Sequence, residues 1–209
     1  MFEETGSSVI DNSGNGNNGT TVGTTSIAGR FGNARSFNGV DDHIAVPDSA
    51  SLSFGASDPF TITAWVYPLK VSGTAPDGRT YYAVIGTNWG AELGIVLAFE
   101  NDKVLFVANG RWGAATFVYS TASVTEGRWY HLAGVRDTAG RKLQIYIDGQ
   151  LDAELNNIPL DPLDTTYQWG IGAFTAGTPW VGHLLGTIDE VRIYNKALSA
   201  AEIQALASQ

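Results

Sequence analysis

What most restricts the fold of this chain is a period of two that recurs in short runs between glycine and asparagine turns. Phe60-Thr-Ile-Thr-Ala-Trp-Val-Tyr67 puts Phe60, Ile62, Ala64 and Val66 on one face and Thr61, Thr63, Trp65 and Tyr67 on the other. Successive side chains of a strand point to opposite faces, so this run predicts a half-buried strand with the first set toward a core. Trp129-Tyr-His-Leu-Ala-Gly-Val-Arg136 and Leu143-Gln-Ile-Tyr-Ile147 alternate in the same way. Asp148-Gly149 follows the second of these, and that dipeptide supplies the left-handed residues of a tight two-residue hairpin. An antiparallel all-β chain is expected.

A helix is predicted only at the end. Ser199-Ala-Ala-Glu202 has capping-box spacing, in which the serine hydroxyl accepts the Glu202 N–H and the glutamate reaches back to the cap. Ile203 and Leu206 then share a face that should pack on the strands. No repeat with a period of roughly 20 to 50 residues interrupts the pattern, and no Pro/Ser-rich linker divides it. Residues 1–209 are therefore read as one domain.

The composition agrees with a packed domain. Of 209 residues, 44% are hydrophobic and only 16% charged, and the 25 glycines and seven prolines suit many turns. A chain of this length can bury roughly 70% of its unfolded surface. The net charge is −9, and no basic run exceeds Arg141-Lys142. Nucleic acid, anionic membrane and polyanionic glycans are disfavoured as partners at long range, whereas a cation or a neutral glycan is not. With no cysteine, neither disulfides nor thiolate chemistry contribute, which suits a bacterial protein stabilised by its core or by a metal. No apolar run approaches the ~18 residues of a membrane span and no signal peptide is recognisable. Met1-Phe2-Glu3-Glu4 reads as a start imposed by expression, so a module of a larger secreted or cell-surface protein is expected.

Seven segments, in order, resemble the bacterial laminin-G-like jelly rolls of the concanavalin A-like lectin/glucanase superfamily. They are Phe2-Glu-Glu with Asp11 to Gly19, Gly32 to Asp42, Phe60 to Pro68, Trp129 to Val135, Ile145-Tyr-Ile-Asp-Gly149, Ile188 to Asn195, and Ala197 to Ile203. The resemblance implies two antiparallel sheets packed face to face, with ligand taken on a concave sheet or its rim loops. Lectins, binding modules, glycosidases and lyases share that fold, so the function has to come from sites.

A metal site is the first candidate. In Ile188-Asp-Glu-Val-Arg-Ile-Tyr194, Asp189 has the parity of Val191 and Ile193 and so is expected on the core side, while Arg192 points away. An unpaired buried carboxylate costs several kcal/mol, and calcium, which takes six to eight oxygens, would compensate it. Superfamily glucanases hold a structural calcium between an N-terminal strand, an early glycine carbonyl and a late aspartate. By that resemblance the ligands would be Glu3, Gly39 and Asp189, with Asp41 next. The other reading open for Asp189 is that it caps a turn or accepts backbone N–H groups. Asp11-Asn-Ser-Gly-Asn-Gly-Asn17 has oxygen side chains at alternate positions but lacks the terminal bidentate acid of an EF-hand loop, so an Asx-rich hairpin accounts for it. Zinc is not expected, because His43 and His183 have no third ligand at suitable spacing.

The second candidate is a sugar site. Sugars lay C–H-rich faces on aromatic rings while a few polar groups fix their hydroxyls. Three tryptophans fall in glycine-containing loops with hydrogen-bonding neighbours: Trp89 beside Asn88, Trp112 beside Arg111, and Trp180 followed by His183. Trp65 and Tyr67 could floor a binding face. Packing under a loop is the competing role for each. Trp129 and Trp169 read as packing residues and His131 as a structural histidine.

Catalysis is not expected. Superfamily glucanases carry Glu-x-Asp-x-Glu or Glu-x-Asp-x-x-Glu on one strand, but Glu100-Asn-Asp102 lies at a turn signal and Asp152-Ala-Glu154 lacks a third acid. The Tyr/His, Arg and Gln groups of superfamily lyases have no counterpart here, and serine-nucleophile and phosphate-binding motifs are equally missing. The expected function is a non-catalytic carbohydrate-binding module, with a protein-adhesion or structural module of a large surface protein as the alternative.

Overall fold

The computed structural model describes residues 2–88, 94–109, 116–163, 167–175 and 179–209, with only the backbone of Asn109. In chain order the first strands are β1 (Ser8–Val9), β2 (Gly19–Val22), β3 (Thr25–Ala28), β4 (Asn33–Asn38), β5 (His43–Val46) and β6 (Phe60–Pro68). Next come β7 (Tyr81–Gly86), β8 (Gly94–Glu100), β9 (Lys103–Asn109), β10 (Phe117–Tyr119), β11 (Tyr130–Asp137) and β12 (Lys142–Ile147). The chain closes with β13 (Gln150–Asn156), β14 (Trp169–Ile171), β15 (Phe174–Thr175), β16 (Trp180–Val181), β17 (Leu185–Tyr194) and helix α1 (Ala200–Ala207).

Two antiparallel sheets form the body of the protein. An eight-stranded sheet runs β1-β2-β5-β14-β7-β8-β9-β10, and a seven-stranded sheet runs β13-β12-β11-β6-β17-β4-β3. The β15–β16 hairpin forms a separate two-stranded sheet. Phe60, Ile62, Ala64 and Val66 of β6 lie in the core between the sheets, as the alternation requires, with Leu132 of β11, Ile145 of β12, and Leu97 and Phe106 of β8 and β9. Trp169 is buried in the same core against Phe54. The all-β sandwich with one short terminal helix is the architecture expected from the sequence.

Local signals also match. Ile147 faces Gln150 across Asp148-Gly149, whose φ angles of +51° and +81° make the left-handed turn a two-residue hairpin needs. Glu100 faces Lys103 across Asn101 and Asp102, at φ +50° and +63°, so the Glu-x-Asp segment is a hairpin turn. At α1 the Ser199 hydroxyl accepts the Glu202 N–H and the Glu202 carboxylate accepts the Ser199 N–H, which completes the capping box. Ile203 seats the helix on the outer side of the seven-stranded sheet with Ala133, Val135 and Tyr146.

Two arginines are buried in the interior. Tyr130, Leu132, Gly134 and Arg136 share one parity on β11, and Arg136 pairs with Phe60 at the end of the core face. Its guanidinium is buried and donates to the carbonyls of Gly55, Asp58, Ala56 and Asp161 at 2.9–3.1 Å. Arg35 of β4 is also buried and donates to the carbonyls of Glu4 and Gly6, tying the N-terminal segment to the sheet. Backbone carbonyls accept from the terminal nitrogens of both guanidinium groups, while the buried Nε of each has no hydrogen-bond partner among the described residues.

Candidate functional site

The outer face of the eight-stranded sheet is not bare. Tyr81 and Ala83 of β7, Val96 and Ala98 of β8, and Leu105 and Val107 of β9 point outward, and Phe174 and Val181 of the β15–β16 hairpin cover them. Two glycines make this approach possible. A Cβ at Gly86 would stand 2.8 Å from the Phe174 ring, and one at Gly170 would stand 2.5 Å from the Trp180 ring. Trp180 is half-buried and stacks on His43 with centroids 4.2 Å apart and an interplanar angle of 25°. His183, buried, directs Nδ1 at the Asp42 carbonyl (3.3 Å) and Nε2 at the Trp180 carbonyl (3.2 Å), so it fixes the hairpin end that carries Trp180. Burial lowers the His43 pKa, which keeps the imidazole beneath the indole neutral, and raises that of Asp42.

At the edge of the same face, β10 presents an aromatic pair that sequence reasoning missed. Phe117 and Tyr119 are 45% and 40% exposed, with ring centroids 5.7 Å apart at 77°. The Tyr119 hydroxyl donates to Glu100, whose other oxygen accepts the Thr80 hydroxyl at 3.0 Å. Burial and the Glu100 hydrogen bond raise the Tyr119 pKa, so it remains a donor at neutral pH. The signal was there in Phe117-Val118-Tyr119, where a core valine sends both neighbours outward, but three residues are too short a run to identify alone.

The sugar-binding candidates divide between the two outer faces. Trp180 and His183 stand on the outer face of the eight-stranded sheet, and Asn88 follows its strand β7. Asn88 is buried and bridges Thr175, and Gly94 faces Asn109 across β8 and β9. Trp89, Arg111 and Trp112 lie outside the described residues. Trp65 and Tyr67 are on the outer side of the seven-stranded sheet and so cannot share a site with Trp180. Trp65 is 7% exposed, with the Arg30 guanidinium 4.7 Å above its ring and Phe31 and His131 against it at 6.1 and 5.4 Å. That ring has no free face for a sugar. Tyr67 is half-buried against Trp129, 5.6 Å away.

The proposed metal ligands divide too. Asp189 is fully buried, but it pairs with Trp65 on the outer face of the sheet and not on the core side. A bulge between Asp189 and Arg192, with Glu190 at φ +49°, reverses the parity, so Val191 and Ile193 pack on the core while Arg192 joins the face of Asp189. Counting back from Ile193 fails for that reason. Asp189 Oδ2 accepts the Phe31 N–H (2.9 Å) and Oδ1 the Glu190 N–H (2.7 Å). Glu3 reaches the same β3–β4 hairpin, where its Oε2 accepts the Asn33 N–H at 3.3 Å. Gly29 and Gly32 admit the two acids: a Cβ would come within 2.6 Å of Asp189 and 2.3 Å of Glu3. Gly39 and Asp41 lie at the far end of β4, where Gly39 packs on Leu185 and Asp41 accepts the Asn38 amide at 2.8 Å. Six residues of strand separate them from Asn33, roughly 16 Å at the strand rise. The four residues therefore do not fit one calcium ion, and no cluster of three or more His, Cys, Asp or Glu suited to a metal occurs among the described residues. What the fold unites is the pair Glu3 and Asp189.

The other acids considered for catalysis are held structurally. Asp152 accepts the N–H groups of Thr121 and Ala122, and Glu154 binds Lys142 and Gln144. His131 is buried, and burial drives its pKa down to about 4. No helix among the described residues is long and apolar enough to cross a membrane.

Comparison with known proteins places this geometry in a family. The chain is similar to the binding domain of Paraclostridial Mosquitocidal Protein 1, at TM-score 0.77 and 18% identity over 95% of this chain and 49% of that one. It is similar to domain 4 of AbnA, an extracellular GH43 arabinanase of Geobacillus stearothermophilus solved with arabinotriose, at TM-score 0.67 and 21% identity over 90% and 87%. The binding domain of botulinum neurotoxin serotype G matches at TM-score 0.70 and 18% identity over 95% and 48%. The chain thus spans about half of the two toxin domains, and at these identities the likeness shows the fold alone. No curated protein sequence matches. A laminin-G family model, described as of the concanavalin A-like lectin/glucanases superfamily, matches residues 37–204, and the chain belongs to that family.

Proposed function

We propose that the protein is a non-catalytic carbohydrate-binding module whose ligand lies on the outer face of the eight-stranded sheet. The observation that carries the reading is that this one face presents aromatic rings at two places, Trp180 over β5 and β14 and the exposed Phe117–Tyr119 pair on β10, about 20 Å apart at the strand spacing and so within the span of one polysaccharide chain. Aromatic rings next to amide, hydroxyl and carboxylate groups are the chemistry that holds a sugar ring by its C–H face and its hydroxyls. Glu100, oriented by Tyr119 and Thr80, supplies an acceptor and sets a negative charge against polyanionic glycans. A neutral polysaccharide fits this face best. The arabinotriose complex of the similar arabinanase domain supports the same choice by analogy.

An array of neutral and acidic glycans, arabinan oligosaccharides included, tests the reading. Binding should be confined to neutral glycans and weakened by Tyr119→Ala and by Trp180→Ala. Binding that survives both, together with Trp89→Ala and Trp112→Ala, would move the assignment to protein adhesion. Residence in a larger secreted or surface protein is part of the proposal. So is a cation at Glu3 and Asp189, which would lower the cost of the buried carboxylate.

A further inference from the structure

The sandwich has an opening on its edge, away from the aromatic face. A cleft of about 480 Å³ enters between the N-terminal segment and the second half of β17 and reaches Trp169 and Ile171 of the core. Val9 on one wall and Val191 and Ile193 on the other make its sides apolar, while Asn12, Ser13, Asn15 and Ser51 give it a rim of amides and hydroxyls. Its charged groups are already engaged. Glu190 forms an ion pair with Arg192, and the Asp11 carboxylate is filled by the N–H and hydroxyl of Ser13 and the N–H of Asn17.

The bulge of β17 creates this opening. Pairing of β17 with β4 stops at Ile188, so Glu190 to Tyr194 have β6 on one side and the cleft on the other. Glu190 holds the bulge in the left-handed region at φ +49°, a conformation that a glutamate adopts only where its surroundings enforce it. Backbone strain of this kind concentrates at ligand sites.

We infer that the cleft is a second ligand site, for a single uncharged sugar ring at the end of a glycan. Apolar walls suit the C–H faces of such a ring, the rim suits its hydroxyls, and the Asp11 carboxylate at the rim, held by neutral donors, disfavours an anion. The volume lies within the usual range of small-ligand pockets, roughly 300–1,000 Å³. The Asx-rich loop from Asp11 to Asn17 becomes the rim that reads the hydroxyls.

Amide NMR of the ¹⁵N-labelled protein, titrated with methyl glycosides of neutral hexoses and pentoses to about 10 mM, tests this. Saturable shifts should cluster at residues 9–17 and 190–194, and Val191→Trp, which fills the cleft, should weaken them at least about tenfold. Should that variant fold poorly, Asn12→Ala with Asn15→Ala, both at exposed positions, should weaken the same shifts. No saturable shift at these amides, shifts indifferent to the variants, or shifts produced only by a short uncharged peptide would overturn the inference. Saturable shifts confined to Trp180 and Tyr119 would overturn it while upholding the proposed function, and shifts confined to the cleft would do the reverse.

Discussion

Arg136 shows how much a single buried side chain can organise. Its guanidinium holds the 55–58 loop and Asp161 by four carbonyls. Arg136→Ala leaves those acceptors unpaired and a void at the core end, and should cost about 3–5 kcal/mol, read by denaturant unfolding. His131 acts through pH. Burial lowers its pKa to about 4 against an ordinary 6.5, so between those values the unfolded chain binds a proton that the folded one does not. Stability therefore falls as pH drops through that window, by about 3 kcal/mol in all. Melting curves of His131→Phe should lose that part of the acid slope. Asp189 has the opposite sign: burial raises its pKa, so its contribution is full below 3.8 and is lost as pH rises through the raised value. A bound cation would reverse that loss. Added calcium should raise the melting temperature of the native chain and leave Asp189→Asn unchanged, and a native chain indifferent to both calcium and EDTA would remove the cation from the account.

Elements follow the same physics over a few residues. Replacing Gly149 by Ala puts a Cβ on a residue at φ +81° and within 3.0 Å of Ala207 in the docked helix, so a loss of about 1–2 kcal/mol is expected in thermal unfolding. Ser199→Ala removes the helix cap and should cost about 1 kcal/mol. Turn and cap signals such as these were legible because one to four adjacent residues determine them. The bulge of β17 was not. Nothing in Asp189-Glu190-Val191 announces a left-handed glutamate, since only the strand paired with it and the hairpin packed on it favour that conformation. Arg136 was half legible: its parity with Tyr130 and Leu132 pointed inward, but the four carbonyls that stabilise it come from loops about 25 and 80 residues away.

The whole sandwich was readable because alternation, turns and the ordered resemblance agree along the chain. The site was less so. Sequence parity tells which residues point out of a sheet, but not which sheet they belong to, so Trp65 and Trp180 looked like partners although opposite faces carry them. Coverage is equally invisible, and Arg30 and Phe31 close over Trp65 from a hairpin more than 30 residues earlier. Titration calorimetry of the native chain and of Trp180→Ala with Tyr119→Ala, against the neutral glycan bound best on the array, tests the central claim. The account predicts saturable binding by the native chain and a loss of affinity of about 30-fold or more in the double variant, with its fold retained. Unchanged affinity in the folded double variant, or no heat with any neutral glycan, would contradict it.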